Sequence, residues 1–220
     1  MKILIIIPAR KGSVRLRKKN KRIFNKKPLI EHSINFAKKL KITPYILVST
    51  NDDDILNIGK KSRVLVPWKR PENISKKNSK SISFTMHAIK WFEKNYGKLD
   101  TVILMQPTSP FRSVKTFKKM FKKFLKKKKS IVTVSNNLKK QKKTLYSDKN
   151  FTRIENKNKK NFIPVQINGN LYINSVVNLK KYRNFINKES IPFLIENKKE
   201  ITDIDTISDW KRAIRLNDNK

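Results

Sequence analysis

Apolar residues in this chain alternate between short continuous runs and stripes at helical spacing. Ile3 to Ile7 is an unbroken β-branched and aliphatic run, cut at once by Pro8, and predicts a buried first strand. Pro28 to Leu40 places Leu29, Ile30, Ile34 and Ala37 on one helical face. Tyr45 to Ser49 predicts a second strand, followed by Asp52, Asp53 and Asp54, acids placed to begin a helix. Val64 to Val66 reads as a short strand ended by Pro67, Ile82 to Phe92 as a helix, and Thr101 to Met105 as another buried strand. From Lys115 to Lys129, Phe117, Met120, Phe121, Phe124 and Leu125 form an apolar stripe among lysines, a core-facing helix with a solvated side; Ile131 to Val134 is strand-like again. Strands alternating with helices predict one α/β domain over residues 1–220, built as three layers around a mostly parallel sheet. The polar, Lys- and Asn-rich stretch 136–161 breaks the alternation, with only Leu145, Tyr146, Phe151 and Ile154 as apolar anchors. On composition alone it reads as a loop or linker.

The loop after the first strand carries the strongest chemical signal. Arg10, Arg15 and Lys19 accompany Gly12, Ser13 and Asn20, where an open α/β sheet places its ligands. Gly lets backbone N–H groups approach closely, and guanidinium forks grip phosphate oxygens in pairs, so the loop suits a nucleoside triphosphate. A second loop, Gln106-Pro107-Thr108-Ser109-Pro110, presents an amide and two hydroxyls on a backbone stiffened by proline, as a polyhydroxylated sugar requires. The same Ser and Thr would equally serve an ordinary strand-to-helix turn as caps. In Asp203-Ile204-Asp205 an extended chain projects both carboxylates to one side, where they repel unless a hard divalent cation sits between them. Alternatively the acids decorate the start of the next helix, which Thr206 and Asp209 cap and whose apolar side is formed by Ile207, Trp210, Ala213 and Ile214. His32 and His87 lack metal-ligand spacing, and no P-loop or nucleophile-elbow pattern occurs.

Charge and composition narrow the classes. Lys plus Arg number 54 against 16 Asp plus Glu, a net charge of +38, which raises nucleic acid as a partner. The lysines run from one end of the chain to the other alongside abundant Asn and Ile, as an A- and T-rich coding sequence would produce. Nucleic acid is therefore not the expected partner, although a positive field assists encounter with any anionic substrate. The absence of Cys excludes disulfides and thiolate metal sites and fits a reducing compartment. No apolar stretch is long enough to span a bilayer, and the first run is too short for a signal sequence, so the expected location is the cytoplasm.

Ile7-Pro8-Ala9-Arg10 with Gly12, Ser13, Arg15, Lys19 and Asn20 resembles the signature loop of the acylneuraminate cytidylyltransferases, the CMP-sialic acid synthetase family, except that Lys11 replaces the first of two paired glycines. Leu104 to Arg112 and Ile201 to Thr206 resemble the family's second and third motifs in the expected order, and Asn168-Gly169-Asn170-Leu171-Tyr172-Ile173 resembles a fourth, a turn into a strand. The resemblance implies a Rossmann-like nucleotidyltransferase that joins CTP to a nine-carbon sugar acid and releases diphosphate. It assigns Ala9, Arg10, Gly12, Ser13, Arg15, Lys19, Asn20, Arg70 and Ser79 to the nucleotide, with Arg10 and Lys19 catalytic. It assigns Gln106, Thr108, Ser109, Asn168 and Tyr172 to the sugar, and Asp203 and Asp205 to Mg²⁺. It also implies a homodimer through an arm formed by 136–161. Val165-Gln166 stands where an aromatic-plus-basic pair is frequent, leaving N-acetylneuraminate, legionaminate, pseudaminate or a Kdo-like acid as substrates. The rival class is a basic nucleic-acid-binding protein on a related scaffold.

Overall fold

A computed structural model describes residues 1–136, 138, 144–148, 154–155 and 162–218. Its strands are β1 (Ile3–Ala9), β2 (Ile23–Phe24), β3 (Lys27–Pro28), β4 (Ile46–Thr50), β5 (Thr101–Leu104), β6 (Ile131–Ser135), β7 (Leu145–Asp148), β8 (Ile154–Glu155), β9 (Phe162–Ser175) and β10 (Ile191–Leu194). Its helices are α1 (Leu29–Leu40), α2 (Asp53–Lys61), α3 (Ser81–Tyr96), α4 (Val114–Lys127), α5 (Val176–Tyr182) and α6 (Ile207–Asp218). The main sheet runs in the order β10-β6-β9-β5-β1-β4. β1 pairs in parallel with β4 and β5, and β10 with β6, while β9 is antiparallel to β5 and β6. The fold is therefore the expected α/β sandwich, with one reversed strand in its sheet.

Strand alternation sorts the core into two layers. Ile3, Ile5 and Ile7 face α1, α2 and α4 through Ile30, Ile34, Ile55, Phe117 and Met120. Leu4 and Ile6 face α3 and α5 through Phe84, Ile89, Phe92 and Leu179. Both faces of β1 are covered, which is why its sequence is a continuous apolar run rather than an alternating one. Of the stripe on α4, Phe117, Met120 and Phe124 are buried, Phe121 is half-buried and Leu125 is exposed, and Ser113 caps the helix by accepting from the Thr116 N–H at 3.0 Å. Exposed lysines stand on all six helices, for example Lys38, Lys60, Lys90, Lys118, Lys180 and Lys211, so positive charge covers the surface instead of gathering on one face.

Three local expectations change. Val64 to Val66 forms no strand: it contributes a single bridge, Leu65 to Leu47, before the chain turns away at Pro67. Asn168-Gly169 is not a turn but lies within β9, beside the register shift opposite Val132 and Val134. Gly169 holds φ at +79° there, a left-handed angle that disfavours a side chain. The third correction concerns 136–161. β7 pairs with the first half of β9 and β8 pairs with β7, so part of this stretch is sheet rather than linker. Leu145 and Ile154 are buried in this chain's own core and are not left exposed on a single protomer. Phe151 lies outside the described residues.

Candidate active site

The loop after β1 is held from three sides. Gly12 takes φ +80°, and Lys11 needs no left-handed angle, so the missing first glycine costs the loop nothing in backbone strain. The Lys11 N–H donates to Asn51 Oδ1 at 2.8 Å, and Asn51 Nδ2 donates to Glu72 Oε1 at 3.0 Å. Lys21 pairs with Asp52 and Asp54 at the start of α2, where Asp52 caps the helix. Leu16, Phe24 and Leu29 pack with Ile204, Trp210 and Ala213 in a small separate core, which ties the loop to the third motif. Trp210 also lies beneath the Arg22 guanidinium, 4.9 Å from its ring centre.

These contacts frame a cavity of about 550 Å³ at the carboxyl ends of β1 and β5. Arg10, Ser13, Arg15, Lys19, Asn20, Arg70, Ser79, Gln106, Thr108 and Asp205 all line it, residues that sequence reading had divided between nucleotide, sugar and metal. Arg70 is the most informative of them. Its backbone N–H donates to Thr50 O at 2.7 Å, which lays it beside the end of β4. The side chain is 3% exposed, its Nε donates to Ser75 Oγ at 3.1 Å, and the guanidinium stacks on Phe84 at 5.0 Å. Among the described residues it makes no ion pair. Burial, and then the nearby Arg10, push its pKa down to about 10, still a cation at neutral pH. Among the described residues Arg10 itself donates only to backbone, Lys11 O and Gly12 O. The guanidiniums of Arg10 and Arg70 share one cavity with that of Arg15, and an anion is the natural neutraliser.

Asp205 faces this cavity and accepts from Lys19 Nζ at 2.8 Å and Arg15 Nη2 at 3.1 Å. The expectation that it chiefly repels Asp203 is therefore revised: two cations already neutralise it. Asp203, 4% exposed, lines a second cavity of about 500 Å³ together with Asn168. Between the two acids, the buried Ile204 donates its N–H to Thr108 O at 2.8 Å, so the second and third motifs touch at the wall separating the cavities. The segment is not in a sheet, and strand alternation does not govern where its carboxylates point. Downstream, Thr206 and Asp209 exchange bonds as a capping box: Asp209 N–H donates to Thr206 Oγ1 at 3.2 Å and Thr206 N–H to Asp209 Oδ2 at 3.1 Å.

Among the described residues no three acidic or imidazole groups gather. Asp205 faces the nucleotide cavity and Asp203 the second one, so the two carboxylates could share a metal only at the wall between the cavities. Carboxylate oxygens are the donor type that Mg²⁺ takes.

The remaining assignments separate. Ala9 is buried in the core, and Gly12 lines a small neighbouring cleft. Ser109 is fully buried. Tyr172 packs on Phe185 at 5.6 Å, and burial, with Asp203 nearby, raises its pKa well above the usual phenol range, so it stays protonated. Sequence reading gave no role to Arg112. Its guanidinium donates to Ser33 Oγ at 2.9 Å and to the carbonyls of Gln106, Ser109 and Asn170, pinning the second loop to β9 and α1. Burial pushes its pKa down to about 9. The sequence signal for it is its place as the last residue of the second motif, after Pro107 and Pro110.

Comparison with known proteins identifies the family. A family model described as cytidylyltransferase matches residues 4–205, and the chain belongs to that family. It is 33% identical over 232 aligned positions to CMP-N,N'-diacetyllegionaminic acid synthase of Legionella pneumophila, covering 98% of this chain and 96% of that one. It is 27% identical over 229 positions to N-acylneuraminate cytidylyltransferase of Escherichia coli, covering 100% of this chain and 53% of that protein. The fold matches that of CMP:2-keto-3-deoxy-manno-octonic acid synthetase, solved in complex with CTP, at a TM-score of 0.70 with 14% identity over 99% of each chain.

Proposed function

We propose that the protein transfers a cytidylyl group from CTP to the anomeric hydroxyl of a nonulosonic acid, giving a CMP-sugar acid and diphosphate. The observation that carries this reading is the convergence of Arg10, Arg15, Lys19 and the buried Arg70 on one cavity beside Asp205. The hydroxyl oxygen forms a bond to the α-phosphorus, the bond from that phosphorus to the bridging oxygen of the diphosphate breaks, and the hydroxyl proton is released. Negative charge grows on the departing diphosphate, and fixed cations aimed at it stabilise the transition state more than the ground state. Arg10 and Lys19 carry that role, with Arg15 completing the triphosphate grip. Gln106 and Thr108, at the wall shared with the second cavity, orient the sugar. Asp203 and Asp205 would hold Mg²⁺, which supplies Lewis-acid polarisation of the phosphate oxygens. Lys19 and Arg15 pre-position Asp205 until the metal–nucleotide arrives.

The test is diphosphate release with CTP, ATP, GTP and UTP against a panel of nonulosonic acids and Mg²⁺. Strong preference for CTP with at least one of the acids is expected. Equal use of the four nucleotides, or no turnover with any acid, would contradict the reading.

The resemblance to acylneuraminate cytidylyltransferases and the position of β8, paired only to β7 among the described strands, support a homodimer through 136–161. Light scattering at micromolar concentration and physiological salt should give twice the protomer mass. A protomer mass would refute the arm assignment. No helix among the described residues is long and apolar enough to cross a membrane, which accords with the proposed cytoplasmic location.

A further inference from the structure

Three consecutive buried residues at the carboxyl end of β4 anchor three separate parts of the wall around the nucleotide cavity. Thr50 O accepts the Arg70 N–H at 2.7 Å, Asn51 Oδ1 accepts the Lys11 N–H at 2.8 Å, and Asp52 pairs with Lys21 at 3.2 Å. Of the three, Asn51 also joins two of those parts to each other. Its Nδ2 donates to Glu72 Oε1 at 3.0 Å, two residues beyond Arg70, where the chain enters a short 3-10 turn. One amide therefore ties the start of the first loop to the segment that carries Arg70. Arg10 is folded onto Lys11 O and Gly12 O, so a shift of this backbone moves its guanidinium. The two parts carry like charge. Arg10 and Arg70 both line the cavity, and the charge of Arg10 disfavours that of Arg70, so repulsion tends to part the walls until an anion sits between them.

We infer that Asn51 and Glu72 form a positioning pair, which holds the Arg10 loop and the Arg70 segment at the spacing of the triphosphate before the nucleotide arrives. The inference rests on the cytidylyl-transfer reading above. Neither side chain lines the cavity, so both act through the residues they hold. Fixing the walls in advance lowers the cost of binding. Once CTP is seated, its phosphates neutralise both guanidiniums and hold the walls themselves. Loss of the bridge therefore weakens binding and spares the chemical step. Glu72 also stands near enough to Arg70 to favour its charged form. As a bare charge it would oppose an incoming anion, and its removal would tighten CTP binding. As half of a bridge, its removal weakens CTP binding. The sign of the effect separates the two roles.

The test measures Kd for CTP by calorimetry, and kcat and both KM values with a nonulosonic acid that the parent accepts. Glu72 is exposed, so Glu72→Ala breaks the bridge without disturbing the core. It should raise Kd and KM for CTP about tenfold, the scale of one lost hydrogen bond to a charged group, with kcat and KM for the sugar acid unchanged. Asn51→Asp keeps an acceptor for the Lys11 N–H but sets two carboxylates against each other, and should weaken CTP binding at least as much. Adding Glu72→Gln to Asn51→Asp reverses the direction of the bond, with the glutamine amide donating to the aspartate, and restores the parent's net charge. CTP affinity should then return to within about threefold of the parent. A merely structural role would lower kcat through the folded fraction and would not be rescued by this exchange. CTP affinity unchanged or tightened in Glu72→Ala, or no recovery in a folded double variant, overturns the inference while leaving cytidylyl transfer standing. Where the double variant does not fold, the sign seen in Glu72→Ala decides. A parent that binds no CTP and turns over none of the acids overturns the reaction reading and this inference with it.

Discussion

Arg70→Met is expected to lower kcat/KM for CTP by roughly 30- to 150-fold, about 2–3 kcal/mol of transition-state stabilisation, while leaving Tm unchanged or raised. The two halves of this result have one cause. Arg70 is buried without an ion pair among the described residues, and the like charge of Arg10 outweighs the nearby Glu72. Its folded pKa lies below the unfolded value, so at neutral pH the folded state holds this proton less favourably than the unfolded chain does. Stability should rise as pH climbs above about 10 toward the ordinary guanidinium range, where the unfolded state binds the extra proton. A methionine of similar length removes the buried cation and keeps the packing on Phe84. CTP should raise the Tm of the parent more than that of the variant, because the variant lacks one of the three guanidiniums that line the cavity. Arg10→Ala and Lys19→Ala should lose turnover to a similar or greater degree. Near-parental rates in all of these variants would remove the cavity from consideration as the triphosphate site.

Asp205→Asn and Asp203→Asn should each cut turnover by at least about a hundredfold, roughly 2.7 kcal/mol. Stability should separate them from the arginine variant. Asp205 accepts from Lys19, whose side chain is only 13% exposed, so the asparagine leaves a largely covered ammonium without its carboxylate and Tm should fall. The Arg15 pair adds little, since that guanidinium is 57% exposed. Extra Mg²⁺ should partly restore the weaker-binding variant, and excess EDTA should silence the parent. Full activity of both variants, or of the parent in EDTA, would show that these acids serve only the helix that follows.

Much of this site is legible in the chain because its motifs are contiguous and each follows a strand end. A buried run broken by Pro8 locates the first loop, and Pro107 locates the second. Features formed by distant residues are not legible in that way. The burial of Arg70 without an ion pair depends on Phe84, which lies against its guanidinium, and on Ser75, which accepts from its Nε. Arg112 becomes an organiser only when β9 brings the Asn170 carbonyl to it. The parting of Asp203 and Asp205 into two cavities follows from the Ile204–Thr108 bond, which replaces the strand geometry assumed from spacing. Likewise Asn168 and Tyr172, close in sequence, part company because the bulge at Gly169 shifts the strand between them. The +38 charge, the loudest compositional signal, is spread over every helix and does not define the site.

The most direct test of cytidylyl transfer follows a heavy-oxygen label placed on the anomeric hydroxyl of the sugar acid, using phosphorus NMR. Attack by that hydroxyl on the α-phosphorus predicts an isotope shift on the single phosphorus of the CMP-sugar product and none on the released diphosphate. An unshifted product resonance, or a label appearing in the diphosphate, would contradict it.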